Sequence, residues 1–148
     1  MLDLRELYQE IIIDHNRNPR NHREMTHPTR KAQGFNRLCG DKLTVYLQTK
    51  QNVIEDISFM GCGCAISQAS ASLMTEALQG QTLEKAHQLF ERFHHMLTSD
   101  EEVPSVSMDK LAVLAGVRSF PARVKCATLA WHTLDAALKK EDAMVTTE

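Results

Sequence analysis

The sequence lacks three features that would place it at once in a membrane, secreted or nucleic-acid-binding class. It has no apolar run near the roughly 20 residues needed to cross a bilayer. Its first residues include Asp3, Arg5 and Glu6 in place of a signal peptide's apolar stretch. Its basic residues form no stripe and its formal net charge is −2, which argues against a nucleic-acid-binding surface. We therefore expect a cytoplasmic protein with neither membrane nor nucleic-acid partners.

The sequence also lacks internal repeats and low-complexity tracts. At 148 residues, with 43% hydrophobic residues, the chain can bury one core and is too short for two ordinary domains. We therefore predict a single domain over residues 1–148.

Hydrophobic periodicity predicts an α+β fold, with strands early and most helices late. A helix that begins at residue 121 is favoured by Pro121, because proline suits the first turn, and Gly80 is a typical helix stop. Residues 19–38 are polar and lack periodicity, so we interpret them as an irregular surface segment. The predicted helices cover 2–15, 67–78, 82–97, 108–114 and 121–140, and the predicted strands, 43–47 and 53–59, form an antiparallel hairpin.

Only four cysteines are present, and in the cytosol they should be reduced, which favours metal or thiol chemistry over disulfides. Cys39, Cys64 and Cys126 fall at predicted element ends or on a helix, where they could converge. Three thiolates and the carboxylate of Asp41 would suit tetrahedral zinc. From spacing alone, small buried hydrophobic cysteines explain the pattern as well, so both interpretations stay open.

Cys64 and Arg123 each have a chemical argument of their own. Cys64 precedes a predicted helix whose N-terminal amides favour negative charge, which should promote a thiolate. Arg123 lies three residues before Cys126, on the same helical face, and could place a positive charge beside a thiolate or Asp41. A surface arginine in a salt bridge is the alternative.

The sequence resembles the SufU branch of the U-type iron-sulfur cluster assembly proteins, which is related to IscU and to the N-terminal domain of NifU. The similarity covers nearly the whole chain and follows the family's blocks in order. Those blocks include Leu7-Tyr8-Gln9-Glu10, Asn18-Pro19-Arg20-Asn21, Cys39-Gly40-Asp41, Gly63-Cys64-Ala65-Ile66-Ser67, Ala69-Ser70-Ala71-Ser72 and the run from Phe120 to Leu129.

The resemblance implies a small antiparallel β-sheet packed against several helices, with a zinc site at one exposed end. The implied ligands are Cys39, Asp41, Cys64 and Cys126. Cys64 would accept persulfide sulfur from a pyridoxal-phosphate cysteine desulfurase of the SufS type. Asp41 would be the ligand that exchanges most readily, and Arg123 would lie close to the site.

Three functions remain compatible with this ligand set. The first is sulfur transfer, in which the sulfur moves on to a downstream iron-sulfur scaffold or to apoproteins. The second is a U-type scaffold on which a 2Fe-2S cluster is assembled transiently and passed to apoproteins. The third is a structural zinc module that supports folding and an interface. Whether the protein is a sulfurtransferase-like enzyme or a non-enzymatic scaffold is left open by the sequence.

Two features favour the SufU branch over IscU: the long stretch 81–119, and Lys125 where IscU proteins carry a histidine ligand. Cys62 complicates the assignment, because it occupies the place of the middle cysteine of IscU while Cys64 occupies the SufU place. Cys62 could relay a persulfide or substitute as a ligand, or it could be a tolerated neighbouring thiol. A direct disulfide with Cys64 would require a bend in extended backbone.

Overall fold

The computed structural model of the chain describes residues 4–99, 109–139 and 143–146. Within these ranges helices and strands follow one another in the order α1, β1, β2, β3, α2, α3, a 3₁₀ segment, α4 and β4. Their bounds are α1 Leu4–Arg17, β1 Arg30–Asn36, β2 Asp41–Lys50, β3 Val53–Cys62, α2 Ala65–Leu78, α3 Leu83–Thr98, the 3₁₀ segment Asp109–Ser119, α4 Pro121–Lys139 and β4 Ala143–Thr146.

The four strands form one sheet in the order β3-β2-β1-β4. The β1–β2 and β2–β3 pairs are antiparallel, whereas β4 pairs parallel to β1. The register sets Asn36 opposite Asp41 and Lys42 opposite Cys62. The β1–β2 turn and the end of β3 therefore lie at the same end of the sheet.

Helices α4 and α2 cover the sheet, α4 against β1 and β2 and α2 against β3, and α1 packs in turn on α2. Alternate residues of β2, such as Leu43, Val45 and Leu47, are fully buried, as expected for a strand with one face on the core. Trp131 of α4 is also fully buried and stacks on Phe93 of α3, with ring centroids 4.7 Å apart. This packing holds α2 and α4 against the sheet.

The fold class is confirmed, and so is the antiparallel hairpin of β2 and β3. The prediction that residues 19–38 are irregular is wrong over β1. The face of β1 that packs on the core carries Ala32, Gly34 and Asn36, none of which is a large apolar residue, so the alternation that signals a strand is missing. Gly34 is required because a Cβ there would collide with Thr133 of α4.

The predicted helices agree with the observed ones to within a few residues, with one difference in type. The predicted helix at 108–114 is a longer 3₁₀ segment, Asp109–Ser119. Residues 2, 3, 108 and 140 of the predicted helices lie outside the described residues. Part of the long stretch 81–119, residues 100–108, is likewise outside them. Strand β4 was not predicted. No helix in the described ranges is both long and apolar enough to cross a bilayer.

Candidate metal centre

Four segments meet at the end of the sheet where β2 begins. The β1–β2 turn carries Cys39, the first residue of β2 is Asp41, the residue before α2 is Cys64, and the second turn of α4 carries Cys126. Each of these residues is therefore placed by the backbone geometry of its element.

Three of the predicted ligands form a compact group. The sulfurs of Cys39 and Cys126 and a carboxylate oxygen of Asp41 all lie within 4.8 Å of one another. Asp41 is 3% exposed and Cys126 is fully buried, whereas Cys39 is half-buried. Tetrahedral zinc with bonds of about 2.3 Å to sulfur places its ligand atoms roughly 3.8 Å apart. The group therefore needs little movement to close around a cation.

Cys64 approaches this group from the side of Asp41. Its Sγ lies 4.0 Å from Asp41 Oδ2, and its backbone N–H donates to Asp41 Oδ1 at 2.8 Å. Ser67, one turn into α2, also donates to Asp41 Oδ1, at 3.2 Å. Cys64 is half-buried, nearer to solvent than Cys126, and it adjoins the compact group through Asp41 without being one of its three members.

Two glycines give the backbone around the site its shape. Gly40 has a φ of +69° and turns the chain between Cys39 and Asp41, a left-handed conformation that favours glycine. Gly63 has a φ of +155°, and a Cβ at this position would collide with Asp41 Oδ1 and crowd Ser67 Oγ. Glycine at 63 is therefore what lets Asp41 reach the start of α2.

Burial raises the pKa of the Cys126 thiol, and hydrogen bonding with Cys39, Asp41 and Cys64 raises it further. Without a cation, this thiol stays protonated at neutral pH. A divalent metal would supply the positive charge that a buried thiolate requires. The amide Nδ2 of Asn36, at the end of β1, donates to Cys126 Sγ at 3.7 Å.

The donor set fits a metal ion. Three thiols and one carboxylate, held at one end of the sheet, are the ligand types that bind zinc in four-coordinate sites. The residues that would hold it are Cys39, Asp41, Cys64 and Cys126. The carboxylate is itself held by the amide of Cys64 and the hydroxyl of Ser67, the kind of support that fixes a ligand's orientation.

The structure does not bring every predicted residue to this centre. Arg123 is exposed in the first turn of α4, and in the described part of the chain no ion pair or side-chain hydrogen bond joins it to Asp41 or to a thiol. Cys62 is exposed at the end of β3 and lies opposite Lys42, whose side chain is also exposed. Cys62 is therefore outside the compact group.

Two residues of the site were missed by sequence reasoning. Ser67 lies in one of the family blocks and follows Cys64 by three residues. That spacing, about one helical turn, is the signal that could have indicated a hydroxyl close to the site. Asn36 falls in the segment 19–38, which the sequence predicts to be irregular. The sequence therefore does not indicate that this side chain is buried beside Cys126.

Comparison with known proteins agrees with this geometry. Residues 7–127 match the family model described as the NifU-like N-terminal domain. The chain is 37% identical over 140 residues to the zinc-dependent sulfurtransferase SufU of Bacillus subtilis, covering 95% of both chains. It is also 37% identical to the iron-sulfur cluster assembly scaffold protein IscU of Streptococcus pyogenes, over 93% of this chain and 86% of that protein.

Among solved structures, a putative iron-sulfur cluster assembly scaffold protein for the SUF system from Fervidobacterium islandicum is similar, with a TM-score of 0.83 and 32% identity. The alignment covers 92% of this chain and 99% of that one. The similarity therefore extends over the whole architecture, including the elements that carry the candidate ligands.

Proposed function

We propose a function from one premise: this chain belongs to the family of NifU-like N-terminal domains. Within that family we assign it to iron-sulfur cluster assembly, as a protein that accepts persulfide sulfur from a cysteine desulfurase at a zinc-bound thiolate site. Its similarity to a zinc-dependent sulfurtransferase over 95% of both chains supports this assignment.

The observation that carries the proposal is the unequal placement of the thiols around Asp41. Cys126 is fully buried, while Cys64 is half-buried and stands 4.0 Å from Asp41 Oδ2 at the start of α2. An incoming persulfide can reach Cys64 without opening the core. Cys39 and Cys126 would then remain as anchoring ligands. Bound zinc would hold the ligand sulfurs as thiolates and has no redox chemistry of its own.

In the transfer step, the Cys64 thiolate attacks the terminal sulfur of the persulfide on the desulfurase. A sulfur-sulfur bond forms at Cys64, the sulfur-sulfur bond of the donor breaks, and the desulfurase cysteine leaves as a thiolate. No external oxidant or reductant is required. Asp41 would keep its hydrogen bond from the Cys64 amide, which holds the nucleophile's backbone while its sulfur reacts.

The surroundings of the site suit a protein partner. Leu38, next to Cys39, is 72% exposed, and Phe120, at the start of α4, is 60% exposed. Exposed large apolar side chains beside a reactive group are typical of an interaction surface. We call the surface that carries Leu38 and Phe120 the rim of the site, and we assign it as the docking surface for a desulfurase of the SufS type. Arg123, exposed one turn before Cys126, would attract the persulfide anion to the rim.

A scaffold is the second candidate, because the same thiolates could hold a 2Fe-2S cluster. The relative from Streptococcus pyogenes carries a scaffold name, which is the specific reason to test it. Anaerobic reconstitution with ferrous iron and sulfide should give no stable cluster if sulfur transfer is the function. Transfer of such a cluster to an apoferredoxin would favour the scaffold.

Desulfurase stimulation tests the proposal directly. Alanine release by a pyridoxal-phosphate cysteine desulfurase should rise when the protein is added, and Cys64→Ser should remove the rise. Cys62→Ser is the matched control, since it removes an exposed thiol two residues away that, unlike Cys64, makes no hydrogen bond to Asp41 in the described ranges. Equal stimulation by Cys64→Ser and the wild type would refute sulfur acceptance at Cys64.

A further inference from the structure

Asn36 is a buried polar residue whose amide makes an incomplete set of hydrogen bonds. Its side chain is fully buried, its Nδ2 donates to Cys126 Sγ at 3.7 Å, and its Oδ1 has no hydrogen-bond partner in the described ranges. A buried amide oxygen left without a partner carries a desolvation cost. A residue kept only for packing could be apolar and avoid that cost.

The direction of the hydrogen bond matters for the chemistry. The amide presents its N–H group to the sulfur, which is the arrangement that stabilises a thiolate, because a thiolate accepts hydrogen bonds and cannot donate them. Cys126 is also the most enclosed of the four candidate ligands, with Cys39 and Cys64 both half-buried. Its negative charge therefore depends on neighbouring donors and on the metal.

The neighbours of Cys64 differ. Its sulfur faces a carboxylate oxygen of Asp41, at 4.0 Å, and Asp41 accepts hydrogen bonds and donates none when it is ionised. Asp41 also lies beside Cys126, so in the described ranges the difference between the two sulfurs is the amide N–H of Asn36, which Cys126 accepts. A thiolate that accepts an N–H bond donates less to an electrophile. The two cysteines therefore share the carboxylate of Asp41 and differ in the amide donor that only Cys126 receives.

We propose that Asn36 is a positioning residue that fixes Cys126 as the anchoring, unreactive ligand of the metal and so leaves Cys64 as the thiolate that accepts sulfur. The register supports this placement, because Asn36 pairs with Asp41 in the β1–β2 ladder. One end of β1 thereby touches Cys126 through a side chain and Asp41 through the backbone. The proposal rests on metal binding at this site, as the proposed function requires.

The test compares Asn36→Leu, which keeps the approximate size and removes both polar atoms, with Asn36→Thr, which retains a hydroxyl donor. Thr133→Val is the matched control, since it removes a buried hydroxyl that bonds Leu129 O within α4, about two turns beyond Cys126. Each protein is loaded with cobalt(II) as a spectroscopic probe. Zinc affinity is measured by competition with a chromophoric chelator.

In Asn36→Leu we expect the sulfur-to-cobalt charge-transfer band to move to longer wavelength, because a thiolate without its N–H bond is easier to oxidise. Zinc affinity should fall by roughly 10–100-fold, the loss typical of residues that support a ligand. Timed alkylation of the zinc form, mapped by mass spectrometry, should modify the exposed Cys62 in every variant. Among the candidate ligands it should modify Cys64 before Cys126 in the wild type, and Cys126 faster in Asn36→Leu than in the wild type. Asn36→Thr should lie between the two.

A band and zinc affinity in Asn36→Leu that match those of Thr133→Val would overturn the role of Asn36, whatever its thermal stability. If Asn36→Leu does not fold, Asn36→Thr decides. A charge-transfer band and a zinc affinity in Asn36→Thr that equal those of Thr133→Val would also overturn the role of Asn36. A wild-type protein that binds neither cobalt nor zinc would instead refute the metal centre of the proposed function. The two failures are therefore distinguishable.

Discussion

Helix α2 contributes to two buried polar clusters that differ in how completely their hydrogen bonds are made. Along the seam with α1, Ser72 Oγ lies 2.7 Å from His15 Nδ1 and accepts the backbone N–H of Arg20 at 2.8 Å. At the start of α2, the cluster around Asp41 leaves Asn36 Oδ1 without a partner in the described ranges. Burial there also raises the pKa of Cys126.

The difference distinguishes a cluster that stabilises the fold from a cluster that can bind a metal ion. A cluster whose donors and acceptors are paired holds two helices together and needs nothing further. A cluster of thiols and a carboxylate that is buried without a cation is poised to bind one. The seam cluster should therefore affect stability alone, and the metal-centre cluster should affect metal binding and sulfur acceptance.

Asp41→Ala should have the largest effect on this contrast, because Asp41 is both a candidate ligand and the acceptor for Cys64 N–H and Ser67 Oγ. We expect zinc affinity to fall by more than roughly 100-fold, beyond the loss caused by residues that only support a ligand. Chelator competition measures it. Asp56→Ala, at a partly exposed ion pair with Arg23, is the control and should bind zinc like the wild type.

Gly63→Ala should come next, because it combines backbone strain with a direct collision against Asp41. At a φ of +155°, a residue with a Cβ costs roughly 1–3 kcal/mol. We expect unfolding in urea at lower concentration and weaker zinc binding. Gly116→Ala is the control, since a Cβ there has no neighbour within 4 Å. Wild-type zinc affinity in Gly63→Ala would show that the site does not depend on this close approach.

Ser72→Ala tests the other side of the comparison. It leaves His15 Nδ1 and Arg20 N–H without their shared partner, so the free energy of unfolding should fall by about 1–3 kcal/mol. Zinc affinity and desulfurase stimulation should not change in the folded protein. A loss of zinc affinity would mean that the two clusters are coupled through α2.

How far the sequence predicts the molecule also differs between the two regions. Helix α2 and its small-residue faces follow from periodicity and Gly80, and the family blocks indicate all four ligands. The support of the site could not be predicted, because it depends on β1. The buried face of that strand carries Ala32, Gly34 and Asn36. Contact with α4 requires a small residue at 34, and Asn36 contacts Cys126, so this face lacks the large apolar residues whose alternation would predict a strand.

Cys62 shows the same limit. The resemblance assigns the ligand position to Cys64, but residue type and spacing alone do not exclude Cys62, since both are cysteines beside Gly63. The strand register assigns Cys62 to the exposed side of β3, opposite Lys42, and the backbone at Gly63 carries Cys64 to Asp41. The three-dimensional path of the chain places Cys64, and not Cys62, beside Asp41.

The smallest predicted effect concerns pH. Burial lowers the pKa of His15, and Arg20 and Lys110 lower it further, whereas Glu76 and Asp14 act in the opposite direction. The folded protein therefore keeps His15 neutral, while the unfolded chain binds a proton near pH 6.5. Stability from this residue is present above that pH and is lost as the pH falls through the lowered pKa of the folded state.

Urea unfolding between about pH 7.5 and pH 5 measures this dependence. The stability advantage of the wild type over His15→Gln should shrink as the pH falls. His27→Gln, at an exposed histidine, is the control and should run parallel to the wild type. A constant difference between wild type and His15→Gln across this range would contradict the account of the seam.

The most direct test of the central claim is native mass spectrometry of protein purified without oxygen, before and after exposure to a cysteine desulfurase with cysteine. The account predicts one zinc per chain, and one added sulfur atom that appears in the wild type and in Cys62→Ser and is absent from Cys64→Ser. Iron with inorganic sulfide in the native protein, or an added sulfur that persists in Cys64→Ser, would contradict it.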